Sequence, residues 1–470
     1  MPAKTKNQEI AEAILSHERY QKNLMFCRGW NMFYLYDDGW YKDLGNGQFE
    51  TVVWEFINEH HPELNITAGL VHDVIQQIEW IIPNKTEEIS TPYIAFVDKL
   101  LNTNTFKFEA FDRKKIAIHR IDCTSGDTKK SIPQFTQFIN SILTDSEKKT
   151  DPELVVLIQE MFGYYLLNSI KPQVVFFLVG QGANGKSVML QILERMIGSK
   201  FTSSMSIQSL TMNQFATSGL IGKKVNICNE EESKYLRSDK FKALISGDMV
   251  QAERKFEGQF FFRPTTKYIF ATNQMPTFDG INYGIKRRMM VVPFKRIVKP
   301  DEQNHELVNE LINELPGIIG WTMVGAERLV KQKYKFSHSK AVIESIEDFE
   351  NLTSSGILFF REHYVPDKNG FIDNEDMYKE YQDWCAKVGK KPLSMTLFNR
   401  DLRDNLNVKQ TVQWSPAKTK TIRGHCASLK NEPLPTLDQI SAAFDVPEKP
   451  EPVIVEEEEE EVFNPKLPTL

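Results

Sequence analysis

Apolar positions follow several different rhythms along the chain, and each predicts a different element. The unbroken β-branched and aromatic run at 174–179 reads as a strand buried on both faces, and the runs at 224–228, 267–272 and 289–294 read as further strands. Between the first two, 188–197 sets its apolar residues on one side of a helix. At 30–41, aromatic residues flank Asp37-Asp38-Gly39, a pattern that predicts a tight hairpin. Residues 90–170 are rich in helix formers and predict a helical lead-in to the strands that follow. Residues 250–262 read as two short strands around a basic, aromatic tip. Farther on, a helix over 377–385, a helix from Met395 to Leu406 capped by Ser394, and strand-like runs at 408–414 and 419–423 give the order helix, helix, hairpin of a winged helix.

These patterns divide the chain into an α+β accessory region at 1–90, a helical lead-in and oligomerisation region at 91–170, and an α/β core with a helical extension at 171–350. A winged helix-like domain at 351–430 and a tail at 431–470 complete it. At 470 residues the chain is too long for one ordinary core. No run approaches a membrane span, and the first residues lack the apolar core of a secretory signal, so a cytoplasmic protein with no membrane partner is expected. The five cysteines include no CxxC pair, which argues against a zinc ribbon or a disulfide scaffold. The formal charge is −6, and residues 447–470, with eight Glu against two Lys, carry that whole balance. The remainder is near neutral, so local patches decide what it attracts. The tail is Pro-rich and acidic and cannot bury enough apolar surface to fold. It is a solubilising end, a mimic of nucleic acid, or a site for host or phage replication proteins; Gln439 to Phe444 faintly resembles a sliding-clamp peptide.

Chemistry enters at Gly180, Gln181, Gly182, Ala183, Asn184, Gly185, Lys186 and Ser187, which spell GxxxxGK[ST] between the predicted strand and helix. In that setting, backbone amides and the helix N-terminus cradle a triphosphate, Lys186 reaches the β and γ phosphates, and the Ser187 hydroxyl ligates Mg²⁺. ATP and Mg²⁺ are therefore the expected cofactors. The 224–228 strand ends in Asn229, Glu230, Glu231 and Glu232, and the strand beside the glycine-loop strand must supply one carboxylate to the metal and another to the attacking water. Glu230 suits the metal and Glu231 the water; the alternative is a solvated acidic turn. Asn273, at the tip of the 267–272 strand, suits a water-positioning amide. Arg287 and Arg288 precede the 289–294 strand, where a guanidinium can enter a neighbouring subunit's site. Asp37 and Asp38 could alternatively be primase metal ligands, but nothing nearby supplies a suitably placed third carboxylate or His.

GQGANGKS, ICNEEE, FKALISGD with ERKF, FATNQMP and KRRMMVVPF, in that order, resemble superfamily 3 helicases of the AAA+ class. The likeness is greatest to the phage and plasmid primase-helicase family, whose relatives include the poxvirus primase-helicase. The resemblance implies an AAA+ P-loop core and an ATP-hydrolysing DNA helicase, working as a hexameric homo-oligomer that moves 3′ to 5′ on single-stranded or forked DNA in a bacterial host. It makes Glu230 and Glu231 the Walker B pair, Asn273 the sensor, and Arg288 the finger, with Arg287 as second choice. No polymerising primase domain is recognisable upstream. The alternatives are a replication initiator without processive unwinding and a P-loop scaffold that uses ATP only to assemble.

The same resemblance makes 250–262 a hairpin in the ring's channel, with Arg254, Lys255 and Phe256 at its DNA-facing tip; Lys255 would pair with phosphate and Phe256 would stack or wedge. Residues 387–430 hold ten Lys or Arg against two Asp, which makes Lys390, Lys391, Arg400, Arg403, Lys418, Lys420 and Arg423 candidate phosphate contacts, or else a solvated basic face. Trp384 and Phe398 are expected in the core.

Overall fold

The computed structural model describes residues 4–45, 47–144, 149–229, 231, 238–254, 258–276, 283–406, 408–415, 418 and 420–430. At its centre lies a five-stranded sheet of β1 (Val175–Val179), β2 (Thr202–Ser203), β3 (Val225–Cys228), β4 (Lys267–Thr272) and β5 (Met289–Pro293), in the order β5-β1-β4-β3-β2. Every neighbouring pair is parallel. A parallel sheet is covered on both faces, and the alternation of side chains shows it. Phe176 and Leu178 of β1 enter one apolar cluster with Ile269 of β4 and Val292 of β5, while Val175 and Phe177 enter a second with Phe270 and Val291. The two-residue strand β2 has no sequence signal and exists through its pairing with β3.

The first face is covered by α1 (Pro133–Ile142), α2 (Pro152–Leu166), α3 (Lys186–Ile197) and α4 (Leu315–Lys331). Asp151 caps α2 by accepting from the Leu154 N–H at 3.1 Å, and Pro152 begins it. The first-turn amides of Gln134 and Phe135 in α1 donate instead to the distant Glu314 carboxylate, at 3.1 and 2.9 Å. That contact sets α1 above the end of β1, where Ile142 and Phe138 back Gly185. α2 and α4 approach so closely that a Cβ at Gly325 would overlap the Gln159 carbonyl, and one at Gly163 the backbone of Ala326. Glu160 is fully buried beside this crossing, and its carboxylate accepts from the Ser337 N–H at 2.7 Å and hydroxyl at 2.6 Å.

On the opposite face sits the N-terminal body. Its sheet comprises Trp40–Asp43, Met32–Asp37, Leu24–Cys27 and Lys85–Thr86 in that order, with helices Lys6–Ser16, Gln48–His60 and Ala68–Ile81. Leu24, Phe26, Phe33 and Leu35 face those helices, whereas Met25, Cys27 and Tyr34 face the central sheet, so alternation along two strands cements both bodies. The N-terminal region is therefore α+β. Its hairpin turns on Asp38 (φ 52°) and Gly39 (φ 85°), the two left-handed residues a two-residue turn demands. Asp37 pairs with Lys42 at 2.6 Å and Asp38 with Arg120, so both carboxylates already hold cations.

The lead-in departs from the helical expectation. Strands Tyr93–Ala95, Leu100–Asn102 and Lys107–Glu109 form a small antiparallel sheet, and regular helix begins only at Pro133. Turn residues around Asp98 and Asn102 to Asn104 cut this stretch into pieces too short for helix, so local turn chemistry outweighs composition.

The lead-in is tied to the sheet through buried amines. Lys224 donates to the Asn168 side-chain oxygen at 2.5 Å, Lys267 donates to the Leu167 carbonyl, and Asn168 donates back to the carbonyls of Thr91 and Tyr93 at 3.0 and 3.1 Å. Burial pulls Lys224 down to about 7 from 10.5. Between those values the unfolded chain binds the proton that the folded chain releases, so this contribution is complete above pH 10.5 and is lost as pH falls toward 7. Between pH 7 and 9.5, wild type should gain stability in denaturant titrations relative to Lys224→Met, by up to about 1.4 kcal/mol per pH unit. Parallel pH profiles would refute a proton-releasing Lys224.

The C-terminal region has its own core of Phe359, Tyr364, Met377, Tyr381, Trp384, Phe398, Leu402 and Val408. Helices Ser355–His363, Asn374–Lys387 and Met395–Leu406 precede the antiparallel pair Gln410–Ser415 and Lys420–His425. Ser394 accepts from the Leu397 N–H at 3.4 Å, and Trp384 and Phe398 are buried. Among the described residues, no helix is long and apolar enough to cross a membrane.

Candidate nucleotide and nucleic-acid sites

The glycine loop joins β1 to α3 at the C-terminal edge of the sheet. Ala183 (φ 57°) and Gly185 (φ 86°) turn left-handed to bring the chain into α3. A Cβ at Gly185 would lie 2.7 Å from Ile142, whereas Gly182 has open space beside it. Among the described residues no side chain caps α3, which leaves its first-turn amides to the loop's concave side. Lys186 is buried, and its ammonium donates to the Gly180 carbonyl at 2.5 Å, the Asn184 side-chain oxygen at 3.0 Å and the Gln181 carbonyl at 3.4 Å. Burial lowers its pKa below the usual lysine value. A desolvated cation whose partners among the described residues are all neutral, beside uncapped amides, fits a polyanion such as a nucleotide triphosphate.

Glu231 enters the same cleft from the end of β3. Its backbone N–H donates to the Ala271 carbonyl at 2.9 Å, and its carbonyl accepts from the Thr272 hydroxyl at 3.0 Å, so β4 fixes where β3 ends. The carboxylate is buried and accepts from the Ile207 N–H at 2.8 Å. Burial raises its pKa above the ordinary carboxylate value. Lys186, Ser187, Glu231 and Asn273 line one open cleft of about 1620 Å³. Asn273 stands at the end of β4, and β4 separates β1 from β3, so the acidic strand lies one strand away from the loop strand rather than beside it. Glu230 lies outside the described residues.

The cleft also holds groups that sequence motifs did not single out: Asn229, the α1 amides Gln134 and Gln137, and Arg296. Arg296 donates to the Ser141 carbonyl at 2.8 Å and pairs with Glu302 at 3.1 Å. Its signal was positional, since it lies just past the C-terminal end of a parallel strand, where open α/β sheets receive ligands.

Arg287 and Arg288 lie at the other edge. The Arg288 carbonyl accepts from the Val175 N–H at 2.7 Å, at the start of β1, about 13 Å of strand from the loop. The Arg288 guanidinium is bound by the Ser246 hydroxyl at 2.7 and 3.0 Å and the Gly284 carbonyl at 2.6 Å, while Arg287 is exposed. The sequence preference for Arg288 as the reaching group thus reverses, because its donors are spent within its own chain.

Of the channel-hairpin residues, Lys255 and Phe256 lie outside the described residues. Strands Val250–Glu253 and Gln259–Phe262 pair as expected. Arg254 departs from its expected role as a DNA contact: it donates to the Trp30 carbonyl at 3.2 Å and lies over the Phe260 ring, bracing the hairpin against the N-terminal body. In the C-terminal region Lys390, Lys391, Arg400, Arg403, Lys420 and Arg423 are exposed. Lys418 is not an open phosphate contact, because its ammonium lies 2.7 Å from Asp373, 3.5 Å from Asp376 and 3.6 Å from Glu375. The acidic tail lies outside the described residues.

The molecule is thus a mixed α/β protein of several bodies with a phosphate-loop cleft at its centre. Residues 178–288 match a family model described as a family of unknown function (DUF5906), and 354–437 match one described as Poxvirus D5 protein-like. A protein named "Putative helicase L207/L206" from Acanthamoeba polyphaga mimivirus is 28% identical over 144 residues, 29% of this chain and 15% of that protein. The fowlpox virus (strain NVSL) protein named "Primase D5" is 27% identical over 177 residues, 35% of this chain and 22% of that protein. The chain therefore matches less than a quarter of the length of either relative. The solved apo structure of the NrS-1 C-terminal region covers 91% of this chain and all of that one, at a TM-score of 0.47 and 14% identity. Over part of its length the chain is thus similar to a poxvirus D5-like family model and to viral proteins named helicase and primase, which supports a primase-helicase-related family.

Proposed function

We propose that the chain is the motor part of an ATP- and Mg²⁺-dependent DNA helicase of the AAA+ class, superfamily 3, assembled as a ring. The observation that carries this reading is the split of its polar groups: Lys186, Ser187, Glu231 and Asn273 converge on one cleft, while Arg287 and Arg288 sit at the opposite edge of the same sheet. An arginine so placed serves a nucleotide only in a neighbouring copy, which makes the site complete in a ring and incomplete alone. Arg287, being exposed, is the finger, and Arg288 its strut.

In this reading Lys186 and the loop amides hold the phosphate oxygens, and Asn273 orients the attacking water whose proton Glu231 accepts. Ser187 and Glu230 would hold Mg²⁺, which supplies charge neutralisation to the phosphates when bound. Family resemblance supplies the hexamer, the 3′ to 5′ direction, the winged-helix reading of 351–430 and a phage or plasmid setting in a bacterial cell. Relatives named helicase and primase support a role in DNA replication.

The test is ATP hydrolysis with and without forked DNA, read beside strand displacement. Lys255→Ala should keep basal hydrolysis near wild type, lose most DNA stimulation and unwinding, and flatten the salt dependence of DNA binding by about one unit per contact. Hydrolysis indifferent to DNA in wild type would replace the motor with an ATP-dependent scaffold.

A further inference from the structure

The C-terminal hairpin displays an aromatic and cationic face that the phosphate contacts do not explain. In an antiparallel pair, directly opposed residues share a face. The register sets Gln410 opposite His425, Val412 opposite Arg423 and Trp414 opposite Thr421, so these six form one face. Its base is fixed: His425 is fully buried, bonds the Asn399 side chain at 2.8 Å and meets the Phe398 ring edge-on. This face is therefore the one turned toward helix Met395–Leu406, which carries the exposed Arg400 and Arg403. Beyond that base the face leaves the core, with Val412 58% and Trp414 64% exposed and Arg423 and Thr421 exposed beside them.

An exposed indole beside an exposed Val412 on one strand face offers a flat apolar surface of the kind enriched at interfaces. The chemistry around it selects the partner. Arg423 lies across the strand pair, one register step from Trp414, and 387–430 carries ten basic residues against two Asp. Among the described residues, Asp373, Glu375 and Asp376 gather around Lys418 at the turn of the hairpin. A planar apolar platform beside a guanidinium suits an unpaired nucleotide, its base on the indole and its phosphate on the cation.

We propose that Trp414 is a base-stacking residue for single-stranded nucleic acid, with Arg423 holding the phosphate of the stacked nucleotide. The inference rests on the nucleic-acid reading of the C-terminal region and adds to it a residue that charge counting does not find.

The experiment uses the full chain and an end-labelled oligothymidine of about 20 nucleotides, with binding measured by anisotropy across a salt series. Trp414→Ala should weaken binding about 5- to 150-fold, which corresponds to about 1–3 kcal/mol for one stacked base, and leave the salt slope unchanged. Trp414→Phe should recover most of the affinity, because a ring still stacks. Arg423→Ala should lower the slope by about one. ATP turnover without DNA should be unchanged in all three. Wild-type binding that is indifferent to Trp414 overturns this inference alone, whereas a wild type that does not bind the oligomer overturns the nucleic-acid reading as well. A change in sedimentation of Trp414→Ala with unchanged oligomer affinity assigns the face to protein contact and also overturns it.

Discussion

Replacing Lys186 by alanine or Glu231 by glutamine is expected to abolish measurable ATP turnover while leaving the fold intact, and the two variants should fail for different reasons. Lys186 is buried, yet its ammonium packs against neutral acceptors at the rim of the cleft rather than filling core volume, so truncation removes charge and little packing. With the cation gone the loop amides alone hold the phosphates, and both nucleotide affinity and turnover should fall, the latter by at least about a hundredfold. Glu231→Gln keeps shape and the acceptor for the Ile207 N–H but cannot take a proton. Nucleotide binding should persist, and hydrolysis should drop by about 10²- to 10⁴-fold. Because burial raises the Glu231 pKa, the acid limb of the wild-type rate profile should lie above the ordinary carboxylate range of about 4 to 4.5 and vanish from the residual activity of Glu231→Gln. Measured nucleotide affinity separates the cases, and normal turnover in either variant would remove the cleft as the site of hydrolysis.

Gly325→Val is expected to be the most damaging substitution for stability. The first added carbon overlaps the Gln159 carbonyl, which is helix backbone and cannot turn aside, so α2 and α4 must separate. Separation opens the cluster around Phe162, Leu166 and Ile318 and loosens the seat of Glu160, a buried carboxylate that depends on Ser337 and Arg328 for partners. Overpacking and an unsatisfied buried charge each cost about 1–3 kcal/mol or more, so a total above about 4 kcal/mol is expected, a large share of the 5–15 kcal/mol that holds a typical domain. Gly126→Ala is the matched control: no atom lies within 4 Å of the added carbon and the backbone is right-handed helical, so stability should hold or rise by about 0.4–1 kcal/mol. Denaturant midpoints read both. Equal midpoints for Gly325→Val and wild type would show that the two helices do not pack as closely as described.

The glycine loop was legible because its chemistry is local: eight consecutive residues, a strand before them and a helix after them. The strands carrying Glu231 and Asn273 were legible for a similar reason, since each is a short run rich in apolar residues, interrupted in β3 by the buried Asn226 and bounded in β4 by Lys267 and Thr272. Their neighbours in the sheet were not. Nothing in 224–231 says that β4 intervenes between β3 and β1, and that insertion places Asn273 between the loop and the acid. The small sheet at 93–109 was read as helix because composition averages over a window, whereas turn residues act singly.

Charge was the least legible property. Lys418, Arg254 and Arg423 look alike in a count of basic residues, yet one is held by three carboxylates, one braces the hairpin against Trp30, and one stands open beside Trp414. By itself the sequence determined the phosphate loop, the main core strands, the paired hairpins and the caps, all of which depend on residues within a few positions of one another. Only the tertiary structure decided the strand order, the joining of the N-terminal sheet to the core through alternate side chains, the glycine crossing of α2 and α4, and which cations remain available. Each of these depends on which distant groups share a neighbourhood, and a charge or an apolar face takes its role from the partners it meets.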